Sequence, residues 1–214
     1  MVIPRETRRI TYSTEIRNLK KRLSLSPFQS EVLVGCLLGD AHLENNWSKT
    51  NYRLKISQSK QQEKYVSWKY QIFKDWVLTE PKLHVSTNSM RFTTISHSDL
   101  SRFHSMFYEG RKKIVPANIQ QLLSPLALAV WFMDDGNAAR VKDGHAYAYN
   151  LNTQSFTFKE HLILIDVLKK KFNFDCSINK NNGSYRLYIG VYARDNFLDI
   201  IINFIIPSLR YKLG

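Results

Sequence analysis

Two stretches of this sequence end in the same way. Residues 33–41 read LVGCLLGDA, and residues 128–136 read LAVWFMDDG. Each is an apolar run of more than two helical turns that stops at an aspartate near a small residue, which suits a buried helix that delivers a charge to a surface. If the two helices pack together, Asp40 and Asp135 lie side by side at one point. Paired carboxylates of this kind bind a divalent metal next to a phosphate.

The pattern around the two stretches is also repeated. Ser26-Pro27 precedes the first stretch and Ser124-Pro125 the second, and a serine N-cap followed by proline at the first helical position is a strong helix start signal. After each stretch come two strand-like runs, a helix, two more strand-like runs and another helix. This order predicts an α+β fold of two pseudo-symmetric αββαββα repeats, each with a four-stranded antiparallel sheet, joined through the two packed helices.

Landmark residues recur at a nearly constant distance along the chain. Asp135 follows Asp40 by 95 residues, Gln154 follows Gln58 by 96, and Lys212 follows Lys113 by 99. Such agreement predicts a symmetric dimer joined into one chain. We therefore expect a basic N-terminal arm at residues 1–25, a first repeat at 26–115 and a second repeat at 116–214.

The charge balance indicates the class of partner. The 214 residues include 31 Lys and Arg against 18 Asp and Glu, a formal net charge of +13. A surplus of this size favours DNA or RNA, with a solvated basic surface as the alternative. The basic residues are spread along the chain, which argues against a membrane surface. The two cysteines, Cys36 and Cys176, are too few for a disulfide scaffold or a zinc site, which is typical of an intracellular protein.

The two stretches resemble the motifs of LAGLIDADG homing endonucleases, in the single-chain branch that carries both copies. WFMDDG at 131–136 and LNTQSFTF at 151–158 are similar to intron-encoded members of that branch, and the resemblance covers roughly residues 26–213. There are two departures: Val130 stands where the family usually has glycine, and Ala41 ends the first motif. Val130 predicts a wider helix separation than glycine would.

The resemblance implies a metal-dependent nuclease site. Asp40 and Asp135 occupy the family's metal-binding position, and the backbone carbonyls of Gly39 and Asp134 are expected as further oxygen ligands. The side chain of Asp134 is not expected to take part, because glycine stands at the equivalent place in the first motif. The metal is expected to be Mg²⁺, with Mn²⁺ able to substitute and Ca²⁺ able to bind without supporting cleavage.

Four other residues complete the expected catalytic set. By resemblance, Lys113 and Lys212 lie near the scissile phosphates, where an ammonium group stabilises developing negative charge or orients the attacking water; the alternative is a plain surface or phosphate-contacting lysine. Gln58 and Gln154 resemble residues that position metal-bound water. Strand alternation, however, leaves Gln58 on the apolar side of its strand unless a bulge intervenes.

The strands predict how DNA is recognised, because a two-stranded ribbon fits the major groove. Arginine suits guanine, asparagine suits adenine, and lysine often contacts phosphate. We expect the two sheets to form a saddle over DNA, with both carboxylates at its centre. The residues predicted to face DNA are Arg53, Lys55, Ser57, His84, Ser86, Arg91, Arg140, Lys142, Asn150, Asn152, Arg186 and Tyr188.

The function that these features predict is site-specific cleavage of both strands of a long, asymmetric DNA target, which promotes homing of an intron. Two alternatives stay open on the same fold: an RNA maturase that assists group I intron splicing, and a catalytically silent DNA-binding protein. We expect a monomer that binds double-stranded DNA and does not bind a membrane; intron RNA is the partner that the maturase alternative implies. An intracellular location is expected, with a mitochondrion or chloroplast as one option for the compartment.

Overall fold

The computed structural model describes residues 14–181 and 183–214. Among these residues, no helix is both long and apolar enough to cross a lipid bilayer. Several short 3₁₀ segments join the regular elements, among them Lys74–Trp76, Val85–Thr87 and Pro207–Lys212. The helices and strands are, in chain order, α1 (Thr14–Arg22), α2 (Pro27–Leu38), β1 (His42–Asn45), β2 (Tyr52–Ser59), α3 (Glu63–Ile72), β3 (Lys82–His84), β4 (Ser89–Thr93), α4 (Ser98–Phe107), β5 (Tyr108–Glu109), β6 (Lys112–Lys113), α5 (Ile119–Leu122), α6 (Pro125–Asp135), β7 (Gly136–Arg140), β8 (Ala146–Leu151), α7 (Phe158–Phe172), β9 (Ser177–Asn181), β10 (Ser184–Ile189) and α8 (Val191–Ile201).

The predicted element order is confirmed. From α2 to α4, and again from α6 to α8, the chain runs αββαββα, and each run forms one four-stranded antiparallel sheet. The predicted start signals also form. Ser26 and Gln29 exchange backbone-to-side-chain hydrogen bonds of 3.1 Å at the start of α2. At the start of α6, the Ser124 side chain accepts from the amide of Ala127, and Pro125 takes the first helical position.

Contacts divide the described chain into two compact units. The first contains residues 14–30 and 41–104, and the second contains residues 31–40 and 105–214. The predicted repeats, 26–115 and 116–214, follow the repeated element order, whereas the compact units follow packing. Residues 31–40 of the first motif and residues 105–115 therefore group with the second unit.

The first unit is built on a sheet of order β1-β2-β4-β3. Along β2, Leu54, Ile56 and Gln58 are buried while the residues between them are partly exposed, as the sequence alternation predicts. Helix α3 packs on β2 and β4, and the rings of Tyr70 and Phe92 meet edge to face at 5.9 Å. One face of this sheet is therefore core and the other is open.

The second unit has the equivalent sheet, of order β7-β8-β10-β9. Helix α6 is buried almost throughout, and α8 packs against both α6 and β8. The centre of this core is aromatic: the ring of Phe197 lies 5.4 Å from Phe132 of α6 and 5.4 Å from Tyr149 of β8. The short β5–β6 hairpin pairs Tyr108 with Lys113 in the same unit.

The two sheets have the same internal register. His42 pairs with Lys55 and Asn137 pairs with Asn150, so each residue of the second pair follows its counterpart by 95 positions. The next ladder keeps this shift, because Lys55 pairs with Thr93 and Asn150 with Tyr188. The paired residues of β8 end at Leu151, so this register covers neither Thr153 nor Gln154. The sequence pairing of Gln58 with Gln154 stays a prediction.

Candidate functional site

The two motif segments lie against each other inside the second unit, with small residues of one facing large residues of the other. An ideal Cβ placed on Gly35 would lie 2.5 Å from the carbonyl oxygen of Ala127 and 2.6 Å from the Cβ of Val130. Four residues later, a Cβ on Gly39 would lie 2.5 Å from the Cβ of Asp134. Val130 therefore does not force the wider separation that the sequence predicts, because Gly35 gives it room.

This packing brings the ends of the two motifs together. Asp135 is the last residue of α6 and is half-buried, whereas Asp40 is exposed two residues after the end of α2. The pKa of Asp135 is raised from 3.8 to about 7, first by burial and then by the negative charges of Asp40 and Asp134. Lys113 and Lys212 oppose that rise. At Asp135, burial and the neighbouring carboxylates therefore outweigh the effect of the two lysines on the pKa.

Each predicted lysine contacts the motif of its own repeat in the same way. The Nζ of Lys113 donates to the carbonyl oxygen of Gly39 at 2.5 Å. The Nζ of Lys212 donates to the carbonyl oxygens of Asp134 at 3.0 Å and Met133 at 2.6 Å. In both motifs the accepting carbonyl belongs to the residue just before the predicted metal-binding aspartate.

The Lys113 ammonium lies within the field of the carboxylates. Burial lowers its pKa, while the charges of Asp135, Asp134 and Asp40 oppose that shift. A cation at this position can stabilise negative charge on a phosphate, which is the role expected from the sequence.

The oxygen atoms at this point suit a divalent metal but do not form a complete cage. Within residues 14–181 and 183–214, no group of three or more His, Cys, Asp or Glu side chains is arranged to hold a metal ion. The carboxylates of Asp40 and Asp135 are hard oxygen donors of the type that Mg²⁺ uses, and Mg²⁺ normally takes one or two of them together with water and substrate phosphate. The carbonyls of Gly39 and Asp134 accept from lysines here, and each carbonyl keeps a second lone pair.

Lys113 is fixed through the chain that follows it. The amide of Val115 donates to Oε1 of Glu160 at 2.9 Å, and Oε2 of Glu160 accepts from the amide of Thr157 in the capping box of α7. Burial alone would raise the pKa of Glu160, but hydrogen bonds from Thr157 and Val115 and the charge of Lys112 lower it overall. One carboxylate therefore ties the residue two positions after Lys113 to the start of a long helix.

The two glutamines predicted for the site have different surroundings. Gln58 is buried on the core side of β2, in the first unit, whereas Gln154 is exposed in the turn after β8. Thr153, the residue before Gln154, is buried in the core of the second unit. Its Oγ1 is 2.8 Å from Nε2 of the buried His161 and accepts from the amide of Leu187. The predicted role of both glutamines stays a prediction.

On the open face of the first sheet, the sequence prediction missed an acidic residue. Glu44 of β1 pairs with Arg53 of β2, and its Oε1 accepts from Nε of Arg53 at 2.9 Å and lies 2.7 Å from Nη2. Its Oε2 lies 3.3 Å from Nζ of Lys55 and 3.6 Å from the His42 ring. Burial would raise the pKa of Glu44, but Arg53 and Lys55 lower it overall. Two of the predicted DNA-binding cations therefore share one carboxylate.

The other predicted residues of this sheet form a hydroxyl network. Arg91 donates from Nε to Ser57 at 2.9 Å and to Ser89 at 2.8 Å. The Oγ of Ser86 lies 3.0 Å from Nδ1 of His84, within hydrogen-bonding distance. Ser86 lies in the 3₁₀ turn at Val85–Thr87, so it is not the strand residue that the sequence pattern predicts. All six predicted residues of this half nevertheless belong to one sheet and its adjoining turn.

In the second sheet, two predicted residues carry buried polar atoms without partners. Asn150 is only 3% exposed, and its Oδ1 has no hydrogen-bond partner within the described part of the chain. The same is true of Nε of Arg186, the counterpart of Arg91. Tyr188, which pairs with Asn150, is half-buried. The sequence predicts an exposed base-reading position for Asn150, but in the structure this residue is buried.

Three further predicted residues of this half are placed differently from the expectation. Asn152 follows β8 and donates from Nδ2 to the backbone carbonyl of Asp135 at 2.8 Å. The guanidinium of Arg140 donates to the carbonyls of Gly144 and Tyr211. Lys142 lies in the exposed β7–β8 turn, outside the strands. Asn152 and Arg140 thus bind this chain's own backbone, which sequence alternation alone could not indicate.

Comparison with known proteins identifies the family. The model of the LAGLIDADG DNA endonuclease family matches residues 30–197. The chain is 30% identical over 208 residues to "Probable intron-encoded endonuclease 1" of Wickerhamomyces canadensis, covering 92% of this chain and 89% of that protein. It is 30% identical over 196 residues to "Cytochrome b mRNA maturase bI2" of Debaryomyces hansenii, covering 86% of this chain and 72% of that protein.

A solved structure shows the same fold over nearly the whole chain. The homing endonuclease I-WcaI bound to its DNA recognition sequence aligns with a TM-score of 0.87 and 28% sequence identity, covering 95% of this chain and 94% of that one. The repeated motif, the repeated sheets and the paired aspartates agree with this match. The chain belongs to the LAGLIDADG DNA endonuclease family.

Proposed function

We propose that this protein is a homing endonuclease that uses a divalent metal to cut both strands of a long, asymmetric DNA site and so promotes homing of an intron. The observation that supports it best is the repeated geometry at the motif ends. In each motif, the lysine ammonium of the same repeat donates to the backbone carbonyl of the residue just before the aspartate. Two such half-sites suit two scissile phosphates.

The residues at this point have complementary tasks in phosphodiester hydrolysis. Asp40 and Asp135 would hold Mg²⁺, which supplies positive charge and an acidified water beside the phosphate when it is bound. Lys113 and Lys212 place ammonium groups where they can stabilise the charge that develops on the phosphate oxygens. Asn152 holds the carbonyl of Asp135 and so fixes the end of α6. Mn²⁺ should replace Mg²⁺, and Ca²⁺ should support binding without cleavage.

Recognition of the DNA sequence is assigned to the open faces of the two sheets. Arg53, Lys55 and Arg91 on the first sheet and Arg186 on the second carry donors suited to base edges or phosphates. The net charge of +13 supplies the sequence-independent part of binding. The arginines add discrimination between base pairs, which charge alone does not give.

The test is a cleavage assay on candidate target DNA. Purified protein with Mg²⁺ should linearise a plasmid that carries the joined exons flanking the intron, and EDTA should stop the reaction. Failure to cut any sequence in a randomised target library, with Mg²⁺ or Mn²⁺ present and specific binding intact, would favour the silent DNA-binding alternative.

An RNA maturase is the second candidate function, because one relative is named "Cytochrome b mRNA maturase bI2". Splicing of the intron that contains the reading frame, with and without the protein, tests this function directly. If the intron splices faster with the Asp40→Asn variant than without protein, the maturase role does not require cleavage. A monomer acting in a mitochondrion or chloroplast belongs to the same proposal, and light scattering of the free protein tests the oligomeric state.

A further inference from the structure

The segment that carries Lys212 has little regular structure of its own. It is the 3₁₀ helix Pro207–Lys212, in which Leu209 and Leu213 donate their amides to Ile206 and Arg210. A lysine side chain is long and has several rotatable bonds, so its ammonium stays in one place only if its backbone is held. The two hydrogen bonds from Nζ of Lys212 to α6 therefore depend on what fixes residues 211–213.

The carbonyl before Lys212 is held by Arg140. Nη2 of Arg140 donates to the carbonyl oxygen of Tyr211 at 2.7 Å, and Nη1 donates to the carbonyl oxygen of Gly144 at 3.0 Å. Because the guanidinium group is planar and rigid, two bonds in different directions fix its orientation. Arg140 thus links the end of the chain segment to the turn of the β7–β8 hairpin.

The carbonyl after Lys212 is held by Tyr149. Its hydroxyl donates to the carbonyl oxygen of Leu213 at 2.5 Å. The Tyr149 side chain is 1% exposed and lies against Phe132 and Phe197, with ring centroids 5.6 and 5.4 Å away. Phe132 directly precedes Met133, whose carbonyl accepts from Lys212. The hydroxyl is therefore fixed relative to the helix that Lys212 must reach.

We propose that Arg140 and Tyr149 are positioning residues for Lys212 and that Arg140 does not read a base. This inference rests on the proposed function. The first repeat has no equivalent pair of side chains: with the 95-residue shift, the counterparts of Arg140 and Tyr149 are Asn45 and Leu54. Lys113 instead lies in the β5–β6 hairpin. Loss of either positioning residue should consequently affect one half-site and leave the other intact.

The test compares cleavage rates at saturating DNA and Mg²⁺ with each strand labelled separately. Tyr149→Phe removes only the hydroxyl, and Arg140→Gln removes the guanidinium. Each should slow the chemical step by about 10–100-fold, the usual effect of misplacing a catalytic group, with DNA affinity and melting temperature near those of the unaltered protein. One strand should be slowed more than the other. Arg140→Lys, which keeps a positively charged donor group but not the planar guanidinium, should recover part of the rate lost in Arg140→Gln.

A double-mutant comparison shows whether the effect passes through Lys212. In a Lys212→Met background, adding Tyr149→Phe or Arg140→Gln should cause no further loss. Tyr147→Phe, in the same strand and 39% exposed, is the matched control and should cut at the normal rate.

The unfavourable outcomes are distinct. If Tyr149→Phe and Arg140→Gln cut at the normal rate while Lys212→Met cuts slowly, the positioning role is overturned and the proposed function stands. The positioning role is also overturned if Tyr149→Phe or Arg140→Gln slows cleavage as much in the Lys212→Met background as in the unaltered protein. A changed base preference with an unchanged rate for Arg140→Gln overturns it too and restores Arg140 as a base reader. Full activity of Lys212→Met removes that lysine from the proposed function, and the positioning role with it.

Discussion

Gly39 and Asp134 fit together because the first has no side chain: a Cβ at position 39 would lie 2.5 Å from the Cβ of Asp134. The second aspartate of the second motif thus fills the space that the glycine of the first motif leaves. Sequence comparison of the two motifs already indicates that Asp134 is not half of a symmetric pair. The structure adds a physical reason for its presence at this position, because it is 7% exposed and packs between the motifs.

Loss of either metal-binding aspartate should abolish double-strand cleavage. Asp40→Asn and Asp135→Asn each remove a negatively charged oxygen donor at the end of a motif without changing the sheet faces. Specific DNA binding, measured by gel shift with Ca²⁺ present, should stay within a few-fold of normal, and plasmid linearisation with Mg²⁺ should be lost.

Asp143→Asn is the control for this prediction, because Asp143 lies in the exposed β7–β8 turn. It should cut normally. Full cleavage by Asp40→Asn or Asp135→Asn would rule out the two-carboxylate site.

Enlarging Gly35 should destabilise the protein. A Cβ there would meet the Ala127 carbonyl at 2.5 Å and Val130 at 2.6 Å. Gly35→Leu should cost about 1–3 kcal/mol or more of unfolding free energy, the usual cost of overpacking a core. Thermal and urea unfolding measure the loss.

A second substitution shows whether the cost arises from this contact. Gly35→Ala should be destabilising in itself, and combining it with Val130→Ala should cost less than the two single changes together. Simple additivity of the two changes would place the strain elsewhere.

Removing the charge of Glu44 should strengthen binding to non-specific DNA. Glu44 holds Arg53 and lies near Lys55, so Glu44→Gln frees two cations from a carboxylate that a phosphate backbone would repel. The gain should be about 1 kcal/mol at low salt, with a steeper fall of affinity as salt rises. Fluorescence anisotropy with unrelated DNA across a salt series measures both.

The same experiment on target DNA tests specificity. Because Glu44 orients the Arg53 guanidinium, Glu44→Gln should narrow the affinity gap between target and non-target DNA. An unchanged gap would mean that Glu44 has no part in orienting Arg53 on the DNA.

Arg53→Ala and Arg186→Ala should relax base preference at different positions of the target. Each good bidentate contact to a base contributes about 1–3 kcal/mol of discrimination. A binding-site profile should therefore change shape at one or two adjacent base pairs for each variant. Lys21→Ala, on the basic helix α1, should only lower affinity for all sequences. If each arginine variant instead lowers affinity equally at all positions of the profile, the arginines contact phosphate and do not read bases.

Glu160→Gln should destabilise the protein in a pH-dependent manner. The folded-state pKa of Glu160 is lowered, so its ionised form stabilises the fold above the unfolded-state pKa, and this stabilisation is lost as pH falls through the folded-state value. We expect a loss of about 1–2 kcal/mol at pH 7, typical of a broken cap and a hydrogen bond to a charged group, that shrinks at pH below about 4. Urea unfolding at several pH values measures it, and an equal loss at pH 7 and pH 3.5 would contradict the assignment.

Much of the fold could be predicted from local patterns. Serine and proline start signals marked α2 and α6, and the alternation of apolar and polar residues marked β2. The candidate aspartates and lysines could be found because they recur at matched distances in both repeats. Both kinds of signal are visible in the order of residues along the chain and do not depend on contacts in the folded protein.

What the sequence could not indicate depends on distant contacts. Arg140 and Asn152 have the parity of exposed strand residues, yet each donates to a backbone carbonyl far along the chain. The sequence pattern does not single out Glu44, because its charged partners Arg53 and Lys55 lie on another strand. Side-chain partners of this kind follow from packing and have no periodic signature.

The fit between the two motif helices has a consequence for engineering. Gly35 and Gly39 both belong to the first motif, in α2 and just after its end, and Val130 and Asp134, the residues that fill their space, both lie on α6. In a protein with two copies of the second motif, valine would face valine and carboxylate would face carboxylate. In a protein with two copies of the first motif, glycine would face glycine and leave unfilled space between the helices. A symmetrical enzyme assembled from two copies of one half of this chain would therefore need a redesigned seam, even if each copy kept its catalytic aspartate and lysine.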